Sequence, residues 1–221
     1  MSSQCVLIGD IRSSRDLQDW PAVFGDLQNA LQEVNRQFAD DVVVDFGPTV
    51  GDEFQGVLRD ARNAYAVYVL IKSGLRAGLY CGIGVGEVEK PLEEAIYMRG
   101  SAFYRARAAL ETCKAKRRSL VVRSSDTVGL QDTITNTLLH FIEVLENSWT
   151  DRQREVLSFY RGHREYTHEQ LGKHFGVSKQ AVGQILKAGD WEAIYEGEEL
   201  VKELLARVSL QEPRGLVMRS L

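Results

Sequence analysis

At 221 residues, 44% hydrophobic and 26% charged, the chain has room for one large or two small packed domains and is neither disordered nor fibrous in composition. Its net charge of -4 excludes a uniformly basic nucleic-acid coat but leaves room for a local basic face. Three cysteines without CxxC spacing, Cys5, Cys81 and Cys113, give neither a disulfide framework nor a zinc site. Cys5 and Cys81 fall in strand-like runs and read as buried thiols of a reducing compartment. The first residues lack the apolar stretch of a signal peptide, and no segment approaches the roughly 18 apolar residues of a membrane span. A cytoplasmic protein with no membrane partner is expected.

In chain order, Cys5-Val6-Leu7-Ile8-Gly9 reads as a strand ending at Asp10. A polar loop, Ile11 to Asp19, leads to a helix capped by Asp19 with Pro21 in its first turn. Phe24, Leu27, Leu31, Val34 and Phe38 mark its buried face. Next comes Thr49-Val50-Gly51-Asp52-Glu53-Phe54-Gln55-Gly56 between apolar runs. Gly before Asp is a turn signal, so the segment predicts a β-hairpin with Asp52 and Glu53 at its tip. If the first strand lies beside this hairpin, Asp10 and Asp52 converge, and two strand-end carboxylates can hold Mg²⁺ on nucleotide phosphates. Solvated acidic turns are the plain alternative.

Asp60 reads as the cap of a second helix, with Ala61, Ala64, Tyr68 and Ile71 inward and Gly74 at its end. Leu79 to Val88 is a central strand whose alternate glycines, Gly82, Gly84 and Gly86, predict a close approach to the backbone. Glu89 to Arg99 is expected to be a mobile loop, Ser101 to Lys114 a helix, and Leu120 to Val122 a strand. The order β-α-β-β-α-β-α-β predicts an α+β fold over residues 1–125: a mainly antiparallel sheet with helices on a face.

Beyond a Ser-, Asp-, Thr- and Gly-containing boundary the pattern is all-helical. A connecting helix in 126–149 carries Leu138, Phe141, Ile142 and Leu145. Thr150 to Gln153 and Thr167 to Gln170 are capping boxes. Ser178 caps a helix through Lys187, and Asp190 caps a last helix with Trp191, Ile194, Val201, Leu204, Leu205 and Val208 on one side. That helix is a candidate dimer interface, with packing inside its own domain as the equal alternative. Residues 211–221 are expected to form a loose tail.

Residues 167–187 have the layout of a helix-turn-helix within a domain at 150–210. Gly172 is the small residue at the crossing, Gly176 makes the turn, and Val177, Val182 and Ile185 lock the second helix. With Thr150 to Leu157, the segment resembles the last region of bacterial sigma factors. Outward positions of the second helix are Ser178, Lys179, Gln180, Gly183, Gln184 and Lys187. Gln suits the edge of adenine and Lys suits phosphate, so double-stranded DNA is the expected partner. Residues 150–190 hold seven Lys or Arg against five Asp or Glu. A module used only for protein contacts is the alternative. His163, His168 and His174 read as surface histidines.

Over essentially its whole length the chain resembles the SatD family. The carrying motifs are Gly9-Asp10-Ile11 with Ser13-Ser14-Arg15, Gly51 to Gly56, Cys81 to Gly86, Gly100-Ser101-Ala102-Phe103 and Ala106 to Leu110. The N-terminal half also resembles the ferredoxin-like palm domain of class III nucleotide cyclases and GGDEF-type diguanylate cyclases. That resemblance implies a site in which Asp10, Asp52 and the accessory Glu53 hold Mg²⁺ or Mn²⁺ on a bound nucleotide, with Asp10 and Asp52 as the catalytic candidates. It implies phosphate contacts from Ile11, Ser13, Ser14 and Arg15, and further nucleotide contacts from Arg105 and Arg107. The sequence departs from the cyclases at the base-reading Lys, here Pro48, and at the transition-state Asn, where Tyr104 stands near Arg105 and Arg107. The first Gly of the diguanylate signature is Val50. Together these features imply a homodimeric DNA-binding regulator that senses a metal-bound nucleotide. An active nucleotidyl cyclase or transferase controlled by its helix-turn-helix is the alternative.

Overall fold

A computed structural model of the chain describes residues 3–89 and 99–210, with only the backbone of Ser209 and Leu210. The expected loop 89–99, apart from its ends, and the expected tail lie outside the described residues. Two compact units are present: residues 1–136 with 202–221, and residues 137–201.

The first unit begins β1 (Gln4–Ile11), α1 (Trp20–Gln37), β2 (Val42–Pro48), β3 (Glu53–Leu58), α2 (Ala64–Gly74) and β4 (Leu79–Gly86). α3 (Ser101–Lys116) and β5 (Leu120–Arg123) follow. The sheet order is β2-β3-β1-β4-β5, antiparallel except for the β4–β5 pair. The first four strands with α1 and α2 have the βαββαβ order of a ferredoxin-like unit. The fold is α+β.

Side chains of β1 alternate in direction, as in any strand. Val6 and Ile8 pack with Val57 against Ala102, Ala106 and Leu110 of α3. Cys5, Leu7 and Ile11 point the other way and are equally buried. The alternate glycines of β4 are explained by α3. A Cβ on Gly82 would stand 2.2 Å from the Ala106 carbonyl oxygen, and one on Gly84 would stand 2.1 Å from that of Ala102. The helix backbone rests directly on the strand.

Two local expectations change. Asp60 does not cap α2; its carboxylate accepts from the Arg62 N–H at 2.8 Å, which closes a short turn, and the helix starts at Ala64 after Asn63. On α1, Val23 takes the buried position, while Phe24 is half-buried beside Trp20, with ring centroids 5.9 Å apart. Asp19 caps the helix as expected, accepting from Ala22 N–H at 3.2 Å.

The later helices are α4 (Leu130–Asn147), α5 (Asp151–Gly162), α6 (His168–Phe175), α7 (Lys179–Ala188) and α8 (Trp191–Leu210). Both capping boxes form, at Thr150 and Thr167. In the second unit Trp149 Nε1 donates to the Gly189 carbonyl at 2.9 Å, and Arg161 bridges the buried Glu146 and Glu198. The apolar side of α8, Trp191, Ile194, Val201, Leu205 and Val208, is buried within the chain. Packing inside the chain therefore accounts for that face. On α4, Ile142 is buried but Phe141 is 60% exposed.

Candidate functional site

The register of three strands builds the acid cluster. Asp10, near the end of β1, pairs across the sheet with Glu53 on one side and Tyr80 on the other. Directly paired residues share a face, so Asp10, Glu53 and Tyr80 all lie on the side that α3 covers. Gly51, with φ of 72°, turns the hairpin and places Asp52 next to β1, where the Ile11 N–H donates to the Asp52 carbonyl at 3.3 Å. The Asp52 carboxylate accepts a hydrogen bond from the Ser14 hydroxyl. Asp10 and Asp52 thus meet at one sheet end, as the sequence predicts.

α3 brings two cations to the same place. Lys114 Nζ lies 2.8 Å from Asp10 Oδ2 and 3.8 Å from Glu53 Oε1. Arg107 Nη1 lies 2.8 Å from both Glu53 carboxylate oxygens. Residues seven apart on a helix share a face, so one side of α3 supplies both. Burial pushes the Asp10 carboxyl above its ordinary value, helped by the nearby charges of Asp52 and Glu53 and opposed by Lys114. Burial works to lower the Lys114 pKa, but its hydrogen bond to Asp10 and the charges of Asp10, Glu53 and Glu111 more than offset this, and the value is raised.

Arg12 borders the cluster. Its guanidinium lies 4.3 Å from the Tyr80 ring centroid and donates to Ser119 Oγ at 2.7 Å. Ser13 has φ of 51°, and the 3₁₀ turn Ser14–Asp16 follows it. A left-handed residue beside right-handed ones turns successive N–H groups toward one concavity, the geometry that binds anions. Ser13 and Arg15 are exposed there. The Ile11 N–H is instead engaged by Asp52.

Arg105 is not brought to this cluster. It donates to the Val85 carbonyl at 2.7 Å, the Ser124 carbonyl at 3.0 Å and Asp126 at 3.0 Å. Those contacts surround Gly86, whose added Cβ would approach Arg105. Gly86 lies six residues from Tyr80 along β4, roughly 20 Å for an extended strand. Lys114 was missed by the sequence reading; its only sequence signal was membership of the same α3 face as Arg107. Among the described residues, no group of three or more His, Cys, Asp or Glu is arranged to hold a metal ion.

A second candidate surface lies on α6 and α7. Gly176 links them at φ of 67°, and Gly172 allows the close crossing: a Cβ there would meet the Val177 carbonyl oxygen at 2.6 Å. Ser178 caps α7, accepting from Ala181 N–H at 3.1 Å. Val182 is fully buried. Ser178, Lys179, Gln180, Gln184 and Lys187 are all exposed. His163 and His174 both stack on Phe159, at 4.0 and 4.3 Å between centroids.

Several solved structures are similar to about half of this chain. A bacterial light-regulated adenylyl cyclase is 11% identical with a TM-score of 0.43, over 55% of this chain and 75% of that one. The dimeric guanylyl cyclase domain of a fusion protein from the aquatic fungus Blastocladiella emersonii is 20% identical with a TM-score of 0.40, over 51% and 75%. A GGDEF domain from Pseudomonas aeruginosa is 18% identical with a TM-score of 0.40, over 55% and 82%. No curated protein matches the sequence. The family model for SatD matches residues 4–205, and the chain belongs to the SatD family.

Proposed function

We propose that the chain is a cytoplasmic, homodimeric DNA-binding transcription regulator whose palm-like first unit senses a metal-bound nucleotide. The observation that carries the nucleotide reading is the alternating network Arg107–Glu53–Lys114–Asp10 beside Asp52. Its carboxylates are already matched by cations, and its cations by carboxylates. A metal-nucleotide presents both charges, with phosphates that compete for Lys114 and Arg107 and a cation that competes for the acids. Incoming ligand therefore replaces each partner in kind, and no charge is left buried alone.

Mg²⁺ is commonly held by one or two carboxylates together with substrate phosphates, so the pair Asp10 and Asp52 fits a metal that arrives with its nucleotide. When bound, the metal would neutralise phosphate charge. Glu53, bidentate to Arg107, acts as the accessory acid. Ser13, Ser14 and Arg15 offer donors to the phosphates. Arg105, tied to Asp126 and two carbonyls, is left out of the site.

The second unit supports the DNA reading through a glycine-crossed helix pair with an outward polar face. On that reading α6 and α7 form a helix-turn-helix, Gln180 and Gln184 meet base edges, and Ser178, Lys179 and Lys187 meet phosphates. Pro48 and Val50, at positions where cyclases read the base, favour sensing over turnover.

Calorimetry with a panel of nucleotides and Mg²⁺ tests the first half. DNA affinity with and without saturating nucleotide tests the coupling, expected to be several-fold. Equal affinities would overturn the sensor. Product formation from a nucleoside triphosphate, read by mass, would establish the cyclase or transferase instead.

A further inference from the structure

α4 carries an apolar face that the described residues leave open. Leu130, Ile134, Phe141 and Val144 are 77, 41, 60 and 52% exposed. With Thr137 they fall at alternating spacings of four and three, the seam pattern of a two-stranded coiled coil. The opposite face, Asp132, Thr135, Leu139, Ile142 and Glu146, is buried within the chain. We propose that this seam is the dimer interface, pairing in parallel with the same face of α4 in a second copy of the chain. This deepens the homodimer of the proposed function by naming its surface.

The exposed parts of the four residues amount to ~400 Å² per copy, within the ~300–600 Å² of the largest patch on a typical monomer, a patch that often has a function. A pair would bury ~800 Å² of apolar surface, which at the ~65% apolar share of homodimer interfaces corresponds to ~1,200 Å² in total, the size at which specific interfaces begin. The residues flanking the seam are Thr133, His140 and Asn147 on one side and Gln131, Leu138 and Leu145 on the other. None is Lys, Arg, Asp or Glu, so a second copy meets no like charge. A parallel pair sets Ile134 against Ile134, Phe141 against Phe141 and Thr137 against Thr137. An antiparallel pair would set Thr137 against Phe141 and Leu130 against Ser148. The helix is already folded, so pairing does not bear the ordering entropy that makes short isolated coils marginal.

Light scattering of the full chain at tens of micromolar should give the mass of two chains. The double variant Phe141→Asp, Val144→Asp should give the mass of one, with its helical circular dichroism unchanged, while Val43→Asp, exposed on β2, should stay paired. Single-chain mass for the parent overturns both the seam and the homodimer. Two-chain mass for the double variant overturns the seam alone. A cysteine cross-link decides the matter if the double variant does not fold. The native Cys5, Cys81 and Cys113 are buried, so Phe141→Cys adds a lone accessible thiol. Oxidation should link two chains through it and should not link Val43→Cys; no cross-link at position 141 overturns the parallel seam.

Discussion

The acid cluster and the outward face of α7 are built on different principles. The cluster draws on β1, the hairpin turn, β3 and α3, and its Asp10–Lys114 pair joins residues 104 apart in sequence. The α7 face is a single run of ten residues whose orientation is set by a cap, a turn and two buried side chains, Val182 and Leu186. A site assembled by sheet register depends on the whole unit, so distant packing errors reach it. A site on one helix face depends on local contacts and tolerates change elsewhere.

The largest test of that difference is a methyl group on Gly84. Its Cβ would stand 2.1 Å from the Ala102 carbonyl oxygen and 2.2 Å from the Ala106 amide nitrogen, both backbone atoms that cannot swing aside. Gly84→Ala should destabilise the first unit by ~3 kcal/mol, the upper range for overpacking. It should also weaken nucleotide binding, because α3 carries Lys114 and Arg107. Gly172→Ala makes a comparable clash, at 2.6 Å, inside the second unit. It should impair DNA binding and leave nucleotide binding alone. Denaturant unfolding and calorimetry on both variants read the outcome. Loss of both functions in both variants would erase the contrast.

Within the cluster, Asp52→Asn removes a charge but keeps an oxygen for the Ser14 hydroxyl, so the fold should hold. Metal-nucleotide affinity should fall about a hundredfold, ~2.7 kcal/mol. Titration by calorimetry checks this, and parental binding by the variant would mean that Asp52 is not a ligand.

Much of this cluster was legible in the sequence, for definite reasons. Asp10 ends an apolar run, and Gly51-Asp52 is a turn signal, so both positions are local facts. Their convergence needed only the assumption that β1 lies beside the hairpin. Lys114 was not legible, because nothing local ties a lysine near the end of one helix to an acid at the end of the first strand. Arg105 and Arg107 are two apart on α3, and such residues do not face each other. The sequence named both; the structure sends Arg107 to Glu53 and Arg105 to Asp126. Phe141 misled in another way. Apolar spacing marks a face that is buried by something, and on α4 the chain itself buries the opposite one.

On the α7 face the expected effects are smaller and separable. A Gln–adenine pair discriminates by ~1–3 kcal/mol, so Gln180→Ala should relax preference at one or two base pairs. Lys179→Ala should weaken binding to every sequence and flatten the salt dependence by about one unit. Selection from random DNA, followed by salt titration, separates the two. Recovery of no enriched motif by the parent, with or without nucleotide, would leave this face for protein contacts.

The smallest effects, and the sharpest contrast in sign, come from two acids in unlike settings. Asp10 is half-buried, and burial raises its pKa above the ordinary value of 3.8. Its folded form therefore holds a proton more tightly than its unfolded form. The stability this contributes is complete below 3.8 and is lost as pH rises through the raised value. Glu169, on the exposed first turn of α6, accepts a hydrogen bond from Lys173, which with the lysine charge lowers its pKa below 4.5. Its contribution is present above 4.5 and is lost as pH falls through the lowered value. Unfolding of the chelator-treated chain across the acid range should show opposite trends. The stability difference between parent and Asp10→Asn should shrink as pH rises, while that between parent and Glu169→Gln should grow. If both differences moved the same way, burial would not be the controlling influence on Asp10, and the acid cluster would be as solvated as the helix face.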